Sequence, residues 1–157
     1  MSDKVQPIPD AYRGGVAYLC CRDAARAIDF YKQAFGAVET MRIVGPKGEI
    51  GHAEFRIGDA SFMISDEHPD MGVVSPATLG GSPTAMLLYF EDVDAIARQA
   101  TEAGGTLTRA VENQFYGDRS GKIVDPFGHT WLIATHIEDV SPEEMSRRAA
   151  EMYGSAK

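Results

Sequence analysis

The stretch Gly58-Asp59-Ala60-Ser61-Phe62-Met63 has a counterpart 69 residues later, the stretch Phe127-Gly128-His129-Thr130-Trp131-Leu132. At the same offset, Asp23 before one helical pattern corresponds to Asp92 before another. Identity between the two copies is low, but residue type, order and spacing persist over residues 16–134. A long period that occurs twice indicates a duplicated supersecondary unit, because a solenoid needs three or more copies.

Each copy has the pattern of a βαβββ unit. An apolar run is followed by a helix that an aspartate caps and a glycine ends, and three alternating or apolar runs follow. The strands predicted in the first copy are 16–21, 38–44, 52–57 and 60–65, and those in the second are 85–90, 106–110, 121–125 and 129–135.

The chain of 157 residues has the length of one domain, so we expect a single domain over 1–157. Its parts are a first unit over 12–66, a connector over 67–84, a second unit over 85–136 and a C-terminal helix over 139–153. The connector is rich in proline and glycine, which is typical of a lid, a crossover or a swapped arm.

The C-terminal helix has its own start signal. Ser141 and Glu144 have the spacing of a capping box, with Pro142 at the first helical position. An apolar stripe on this helix predicts that it docks on the body of the protein or on a partner; its members are Met145, Ala149 and Met152.

Composition limits the partners. The net charge of −8 argues against a surface for nucleic acid or anionic membrane, and no run reaches the ~18 apolar residues of a membrane span. Cys20 and Cys21 are adjacent, so a strand would turn them to opposite faces and an internal disulfide is not expected. With no apolar signal core at the start, we expect a cytoplasmic protein.

Five segments match a known superfamily in order and spacing: Asp23-Ala24-Ala25-Arg26-Ala27-Ile28-Asp29-Phe30-Tyr31, Phe35-Gly36-Ala37, Gly51-His52-Ala53-Glu54-Phe55-Arg56-Ile57-Gly58-Asp59, Phe90-Glu91-Asp92-Val93-Asp94 and Asp125-Pro126-Phe127-Gly128-His129-Thr130-Trp131. They resemble the vicinal-oxygen-chelate superfamily of glyoxalase I, bleomycin-resistance protein and extradiol dioxygenase. Together with Tyr116-Gly117-Asp118-Arg119-Ser120-Gly121 they resemble its PhnB-like branch. The resemblance covers about residues 12–138 and implies an α+β fold whose two βαβββ units form a glyoxalase-like cup.

The resemblance also places four positions that ligate a metal in metal-dependent members. They fall on Val16, Met63, Ala85 and Leu132, and the offset of 69 relates them in pairs. None of these side chains ligates a hard divalent cation, so we expect neither this metal site nor a cofactor, although a divalent metal elsewhere stays open.

Two groups of polar residues are candidates for chemistry. His52 and Glu54 share one face of a predicted strand, where they form a base with its orienting acid, a ligand contact, a metal pair or, with Arg56, a solvated charge ladder. Asp118 and Arg119 follow Tyr116 before a strand of the second copy. An arginine there would grip an anionic or carbonyl group, or the two charges would only clamp a turn.

Two tyrosines complete the candidate ligand-binding set. By alternation from the aligned positions, Tyr18 and Tyr89 point into the cup, as wall for a flat ligand or as filler. Ser65 shares the face of Met63, either to bond a ligand or to end the strand. The remaining histidines and the tryptophan are interpreted as structural or as surface residues: His129 and Trp131 in the first group, His68 and His136 in the second.

Three functions remain open. The first is a binding protein, a homodimer that holds a small aromatic or polar organic molecule without a metal. The second is a superfamily enzyme, a lyase, isomerase or oxidoreductase that acts through His52 and Glu54 or through Asp118 and Arg119. The third is a structural protein whose cup is filled by side chains.

Overall fold

The computed structural model describes residues 4–154, so residues 1–3 of the predicted lead-in lie outside the described residues. The chain divides into two compact units, one that ends at Gly80 and one that begins at Gly81. The boundary lies inside the predicted connector. Each unit is built around one four-stranded mixed sheet with a helix, so the fold class is α+β.

The first unit has the predicted βαβββ order. Its elements are β1 (Ala17–Cys21), α1 (Ala24–Phe35), β2 (Val38–Val44), β3 (Ile50–Ile57) and β4 (Ala60–Asp66). The sheet order is β1-β4-β3-β2, with β1 parallel to β4 and the other pairs antiparallel. A short 3-10 turn, Asp10–Tyr12, precedes β1.

Helix α1 covers one face of this sheet. Asp23 caps its start by accepting a hydrogen bond from the Arg26 N–H, and Gly36 ends it in the left-handed conformation at φ 71°. Tyr31 of the helix stacks on Phe55 of β3, with ring centroids 5.3 Å apart. Because side chains alternate along a strand, the neighbours of Phe55 lie on the opposite side, which we call the open face.

The connector begins with an anchored segment. It contains the 3-10 turn Pro69–Met71 and a short helix, α2 (Pro76–Leu79). The Glu67 carboxylate accepts hydrogen bonds from the Ser75 N–H, the Ser75 hydroxyl and the Thr78 hydroxyl. These bonds lower the pKa of Glu67 to about 2.

The second unit repeats the first. Its elements are β5 (Ala85–Tyr89), α3 (Val93–Glu102), β6 (Thr106–Asn113), β7 (Asp118–Val124), β8 (Thr130–His136) and α4 (Pro142–Gly154). The sheet order is β5-β8-β7-β6, again with a parallel pair between the first and last strands. Tyr18 is the partner of Met63 in the first sheet and Leu87 that of Leu132 in the second, which confirms the offset of 69.

The segment 127–132 forms a core of the second unit. Trp131 is fully buried, and its indole N–H donates to the Asp125 carboxylate at 2.9 Å. The same carboxylate accepts from the N–H groups of Phe127 and His129. His129 is buried as well, so the structural interpretation of His129 and Trp131 is confirmed.

Some element boundaries and one capping prediction differ from the structure. Strand β7 begins at Asp118, three residues before the predicted start, because the Gln114 N–H bonds to the Asp118 carbonyl and closes the β6–β7 turn. The capping box of α4 is half formed: Ser141 accepts from the Glu144 N–H, while the Glu144 carboxylate binds Arg147 and Arg148 instead.

The apolar stripe of α4 is only partly covered within the described part of the chain, with Met145 and Ala149 half-buried. No residue of this helix is buried, and Met152 is 53% exposed. The helix is held to the second unit by Arg148, which binds Glu138 and the Phe115 carbonyl. None of the helices between residues 4 and 154 combines the length and apolar character needed to cross a membrane.

One residue at the end of the last strand positions the helix in each unit. In the first unit, the two oxygens of Asp66 accept the Ala24 N–H and the Ile50 N–H, each at 2.7 Å. In the second unit, Thr135 accepts the Val93 N–H at 2.9 Å and occupies the position 69 residues after Asp66. Both side chains therefore fix the start of the helix to the end of the neighbouring strand.

Removing the Asp66 carboxylate should destabilise the protein strongly. An Asp66→Ala variant leaves two N–H groups of buried residues without their acceptor, and we expect a loss of about 2–4 kcal/mol in the free energy of unfolding. The matched control is Asp59→Ala in the exposed β3–β4 turn, which should change it by less than about 1 kcal/mol. Urea denaturation measures both, and equal midpoints for the two variants would contradict this role.

Candidate functional site

The open face of the first sheet carries a continuous chain of hydrogen bonds. The Tyr18 hydroxyl lies 2.6 Å from His52 Nδ1, and His52 Nε2 lies 3.0 Å from Glu54 Oε1. The other oxygen of Glu54 accepts a hydrogen bond from the Tyr12 hydroxyl. Four side chains from three parts of the unit, the 3-10 turn, β1 and β3, are thus joined in one chain, which we call the Tyr–His–Glu chain.

The hydrogen bonds of the Tyr–His–Glu chain have a defined direction. Hydrogen bonds from Tyr12 and His52 lower the pKa of Glu54, so this carboxylate is ionised at neutral pH and accepts from both partners. When Glu54 accepts from Nε2, the neutral imidazole carries its proton there and Nδ1 is left as an acceptor. Tyr18 therefore donates its hydroxyl proton to His52. The bond to Glu54 also raises the pKa of Tyr12.

Tyr18 is the accessible end of this chain. Its side chain is 53% exposed and its ring lies against the ring of His52, with centroids 5.4 Å apart. Met63 is the cross-strand partner of both Tyr18 and Glu54, so an apolar side chain lies beside the polar row. Ser65 is buried on the same face and donates to the Asp66 carbonyl at 3.0 Å, as expected for a residue that ends a strand.

A small cavity adjoins the other end of the Tyr–His–Glu chain, at Tyr12 and Glu54. It has a volume of about 260 Å³ and is lined by Tyr12, Thr40, Glu54, Arg56 and Ser61, among others. Small-molecule sites usually measure about 300–1,000 Å³, so the cavity alone suits a small molecule or one part of a larger one.

The second sheet carries a different chain on its open face. The Tyr89 hydroxyl donates to Asp118 at 2.6 Å, and the second oxygen of Asp118 lies 2.8 Å from His136 Nδ1. His136 Nε2 lies 2.8 Å from Asp139. Bonds to Asp118 and then Asp139 raise the pKa of His136, and the bond to Asp118 raises that of Tyr89. His136 is a surface residue as predicted, but it does not stand alone, because it is bonded to Asp118 and Asp139.

Arg119 lies apart from the other candidates. Adjacent residues of a strand point to opposite faces, so Arg119 lies on the helix side of β7, while Asp118 lies on the open face. Its guanidinium binds the Asp94 carboxylate through two bonds of 2.8 and 2.9 Å and also donates to Asn113. A turn clamp between Asp118 and Arg119 is wrong, because the Asp118 carboxylate is bonded to Tyr89 and His136 instead. Arg119 is therefore not among the proposed ligand contacts.

Tyr116 lies in the β6–β7 turn, stacked edge-on against Phe115 with ring centroids 5.3 Å apart. Its charge contributes to the raised pKa of Tyr89, which places the two tyrosines near each other. The second unit thus brings together Tyr89, Tyr116 and Asp118 from the candidate list.

The four positions that would ligate a metal do not fit one. Val16, Met63, Ala85 and Leu132 offer three alkyl groups and one thioether, which is a poor donor set for Zn²⁺, Mg²⁺, Mn²⁺ or Fe²⁺. Within residues 4–154, no group of three or more His, Cys, Asp or Glu side chains is arranged to hold a metal ion.

Comparison with known proteins identifies the class. The sequence model of the Glyoxalase/Bleomycin resistance protein/Dioxygenase superfamily matches residues 14–133. This match covers most of the chain, and the two βαβββ units have the strand order expected from the resemblance. The chain belongs to the glyoxalase/bleomycin resistance protein/dioxygenase superfamily.

Relatives occur in bacteria and in a plant. An uncharacterized protein of Mycobacterium bovis is 42% identical over 131 residues, which cover 82% of this chain and 86% of that protein. The X-ray structure of an Arabidopsis thaliana gene product has a TM-score of 0.62 at 29% identity, and the match covers 78% of this chain and 98% of that one. A Bacillus cereus protein described as PhnB shares the fold, with a TM-score of 0.61 at 16% identity over 78% of this chain and 99% of that one.

We expect the second chain of hydrogen bonds to be visible in the titration of His136. Asp118→Asn should lower the pKa of His136 toward its ordinary value of 6.5, because the neighbouring negative charge is lost. Asp139→Asn should lower it less, because Asp139 is fully exposed to solvent and contributes less to the raised pKa than the buried Asp118. The measurement is an NMR titration of the His136 ring protons.

The sign of the stability effect follows from the direction of the shift. A raised pKa means that the His136–Asp118 pair stabilises the folded state fully below pH 6.5 and less as the pH rises through the raised value. A His136 pKa that stays unchanged in Asp118→Asn would contradict the pairing.

Proposed function

We propose that this protein binds a small organic molecule on the open face of its first sheet, with Tyr18, His52, Glu54 and Met63 as contacts and without a metal. The observation that carries the proposal is the Tyr–His–Glu chain, a polar row of fixed direction on the sheet face that the helix leaves uncovered. A ligand with one hydrogen-bonding group and a flat apolar part matches the exposed Tyr18 ring and Met63.

The second unit supports a wider contact set. Tyr89 and Asp118 occupy the open face of the second sheet, with Tyr116 near them, and we propose them as further ligand contacts. The family segments favour the PhnB-like branch of the superfamily. Cytoplasmic location also stays a prediction.

A second candidate is an enzyme that uses the same residues. His52 bonded between Tyr18 and an ionised Glu54 is the arrangement of a base held by an orienting acid, with a phenol as the group that meets the substrate. In such an enzyme, Tyr18 would take a proton from the substrate while its own hydroxyl proton passes to His52 Nδ1, and the Glu54 carboxylate would stabilise the imidazolium that forms. The reaction class would be proton transfer on a small oxygenated substrate.

One experiment separates the two functions. The protein is incubated with a panel of small oxygenated and aromatic compounds, while two-dimensional NMR follows the protein amides and proton NMR follows the compounds. Binding predicts saturable shifts at Tyr18, His52, Glu54 and Met63 with no consumption of the compound. If the protein is an enzyme, we expect the same shifts together with consumption of the compound.

The matched pair of variants is Tyr18→Phe and Tyr153→Phe. Removing the Tyr18 hydroxyl should weaken binding by about tenfold, because one hydrogen bond is lost and His52 Nδ1 is left without a donor. Tyr153 lies 67% exposed on α4, so its variant should bind like the parent protein. Shifts confined to the helix-covered face, or equal affinity in both variants, would overturn the proposed site.

We also propose a homodimer, supported by the edge strand β2. Three of its apolar side chains are more than half exposed, Val38, Ile43 and Val44, and one side of the strand has no sheet partner among the described residues. An apolar edge of this kind is a template for pairing with a second chain.

The dimer is tested by light scattering after size exclusion. The parent protein should have twice the mass of the chain, and Ile43→Lys should shift it toward the monomer because a charge enters the apolar edge. Val5→Lys, at a position 86% exposed in the lead-in, should not change the mass. A parent protein that is monomeric at all concentrations would contradict the homodimer.

A further inference from the structure

The same structural row carries different charges in the two units. In the first sheet, the cross-strand row runs Met41–Glu54–Met63–Tyr18, by direct Cα pairing. In the second sheet, the equivalent row runs Arg109–Lys122–Leu132–Leu87. The acidic residue of the first row is thus replaced by a lysine, and the methionine beside it by an arginine.

Arg109 and Lys122 are neighbours of like charge. They are direct partners across β6 and β7, a placement that destabilises a sheet unless something compensates the charges. Arg109 donates to the Ser120 hydroxyl, a neutral group, at 2.9 Å. Neither side chain forms an ion pair with any residue of the described range 4–154, although the chain has a net charge of −8.

The acidic groups nearest in the sequence are engaged elsewhere. Asp118, four residues before Lys122 on the same strand, is bonded to Tyr89 and His136. Asp125, three residues after Lys122, is bonded to the Trp131 indole and to two backbone N–H groups. Glu112 is the cross-strand partner of Ser120, and it forms no ion pair with Arg109 among the described residues. The two cations therefore face a space in which the protein supplies no carboxylate within ion-pairing distance.

That space is a pocket of suitable size and lining. Its volume is about 350 Å³, within the usual range of about 300–1,000 Å³ for small-molecule sites. Besides the two cations, its walls include the hydroxyl residues Ser82, Thr84 and Thr130 and the apolar Leu132. All of these residues belong to the second unit.

We propose that this pocket binds a small organic anion, whose carboxylate or phosphate group is held by Arg109 and Lys122 while its apolar part lies against Leu132. The planar guanidinium of arginine offers two parallel donors to such a group, and the lysine ammonium adds a point charge. The hydroxyl groups of Thr84 and Thr130 can complete the hydrogen bonds. This site lies in the second unit and does not depend on the Tyr–His–Glu chain.

The test compares three probes that share a ring and differ in charge. Benzoate, phenyl phosphate and benzylammonium chloride are titrated into the full-length protein at constant ionic strength, with two-dimensional NMR as the readout. We expect saturable shifts at Ala85, Lys122 and Thr130 with at least one of the two anions, and none with the ammonium probe. The anion that binds with the higher affinity shows whether the pocket prefers a carboxylate or a phosphate.

The charge of Lys122 is tested by a matched pair of variants. Lys122→Gln should weaken anion binding by about tenfold or more, because one charge-assisted bond is lost. Lys47→Gln makes the same change in charge in an exposed turn of the first unit and should bind like the parent protein. Without a probe, Lys122→Gln should melt at the same temperature as the parent protein or higher, because a like-charge pair is removed.

The outcomes separate this site from the proposed function. Equal shifts with benzylammonium, equal affinity in both lysine variants, or a lowered melting temperature of Lys122→Gln would each overturn the anion pocket. Such a result, with ligand shifts at Tyr18 and His52 intact, would leave the first-unit site standing. Loss of the shifts at Tyr18 and His52 alone would overturn the first-unit site and leave this pocket standing.

Discussion

The first unit depends on two hydrogen bonds in which the Asp66 carboxylate accepts from backbone N–H groups. One carboxylate at the end of β4 holds the first residue of α1 and the first residue of β3. This bond set fixes the helix over one face of the sheet, and the other face is left open. Thr135 does the same for α3 at the equivalent position, with one hydroxyl that also donates to the Phe90 carbonyl.

The duplicated frame is separate from the chemistry placed on it. Strand order and helix position are the same in both units, and the first and last strands pair in the same register. The open faces differ: the row that holds Glu54 in the first sheet holds Lys122 in the second. The first unit therefore offers a polar chain that ends in a phenol, and the second offers a tyrosine–aspartate–histidine chain and a cationic pocket. A conserved frame with altered side chains is how one fold supports several functions.

The fold was accessible from the sequence because its signals are local. Asp23 and Gly36 mark the ends of α1. The correspondence of Phe62 to Trp131 in the sequence, at an offset of 69, identifies equivalent positions in the last strands of the two units. The start of β7 was not accessible, because Asp118 lies directly after a glycine and its strand pairing depends on a turn hydrogen bond from Gln114. Boundaries of this kind are decided by tertiary contacts.

The site was accessible only in part. His52 and Glu54 share a face by simple alternation, so their proximity could be predicted. Tyr12 was missed because it lies in the lead-in, 42 residues before its partner Glu54. His136 was missed because its partner Asp118 lay outside the strand predicted for it. In both cases a tyrosine or histidine near a strand end was the available signal, and the partner came from another strand.

Determining the tautomer of His52 tests most directly whether the open face of the first sheet presents a polar row of fixed direction. Long-range proton–nitrogen NMR correlations of the histidine rings distinguish a proton on Nε2 from one on Nδ1. At neutral pH we expect His52 to carry its proton on Nε2, donated to Glu54, with Nδ1 accepting from Tyr18. A proton on Nδ1 would contradict this direction, because Tyr18 would then have no acceptor at His52.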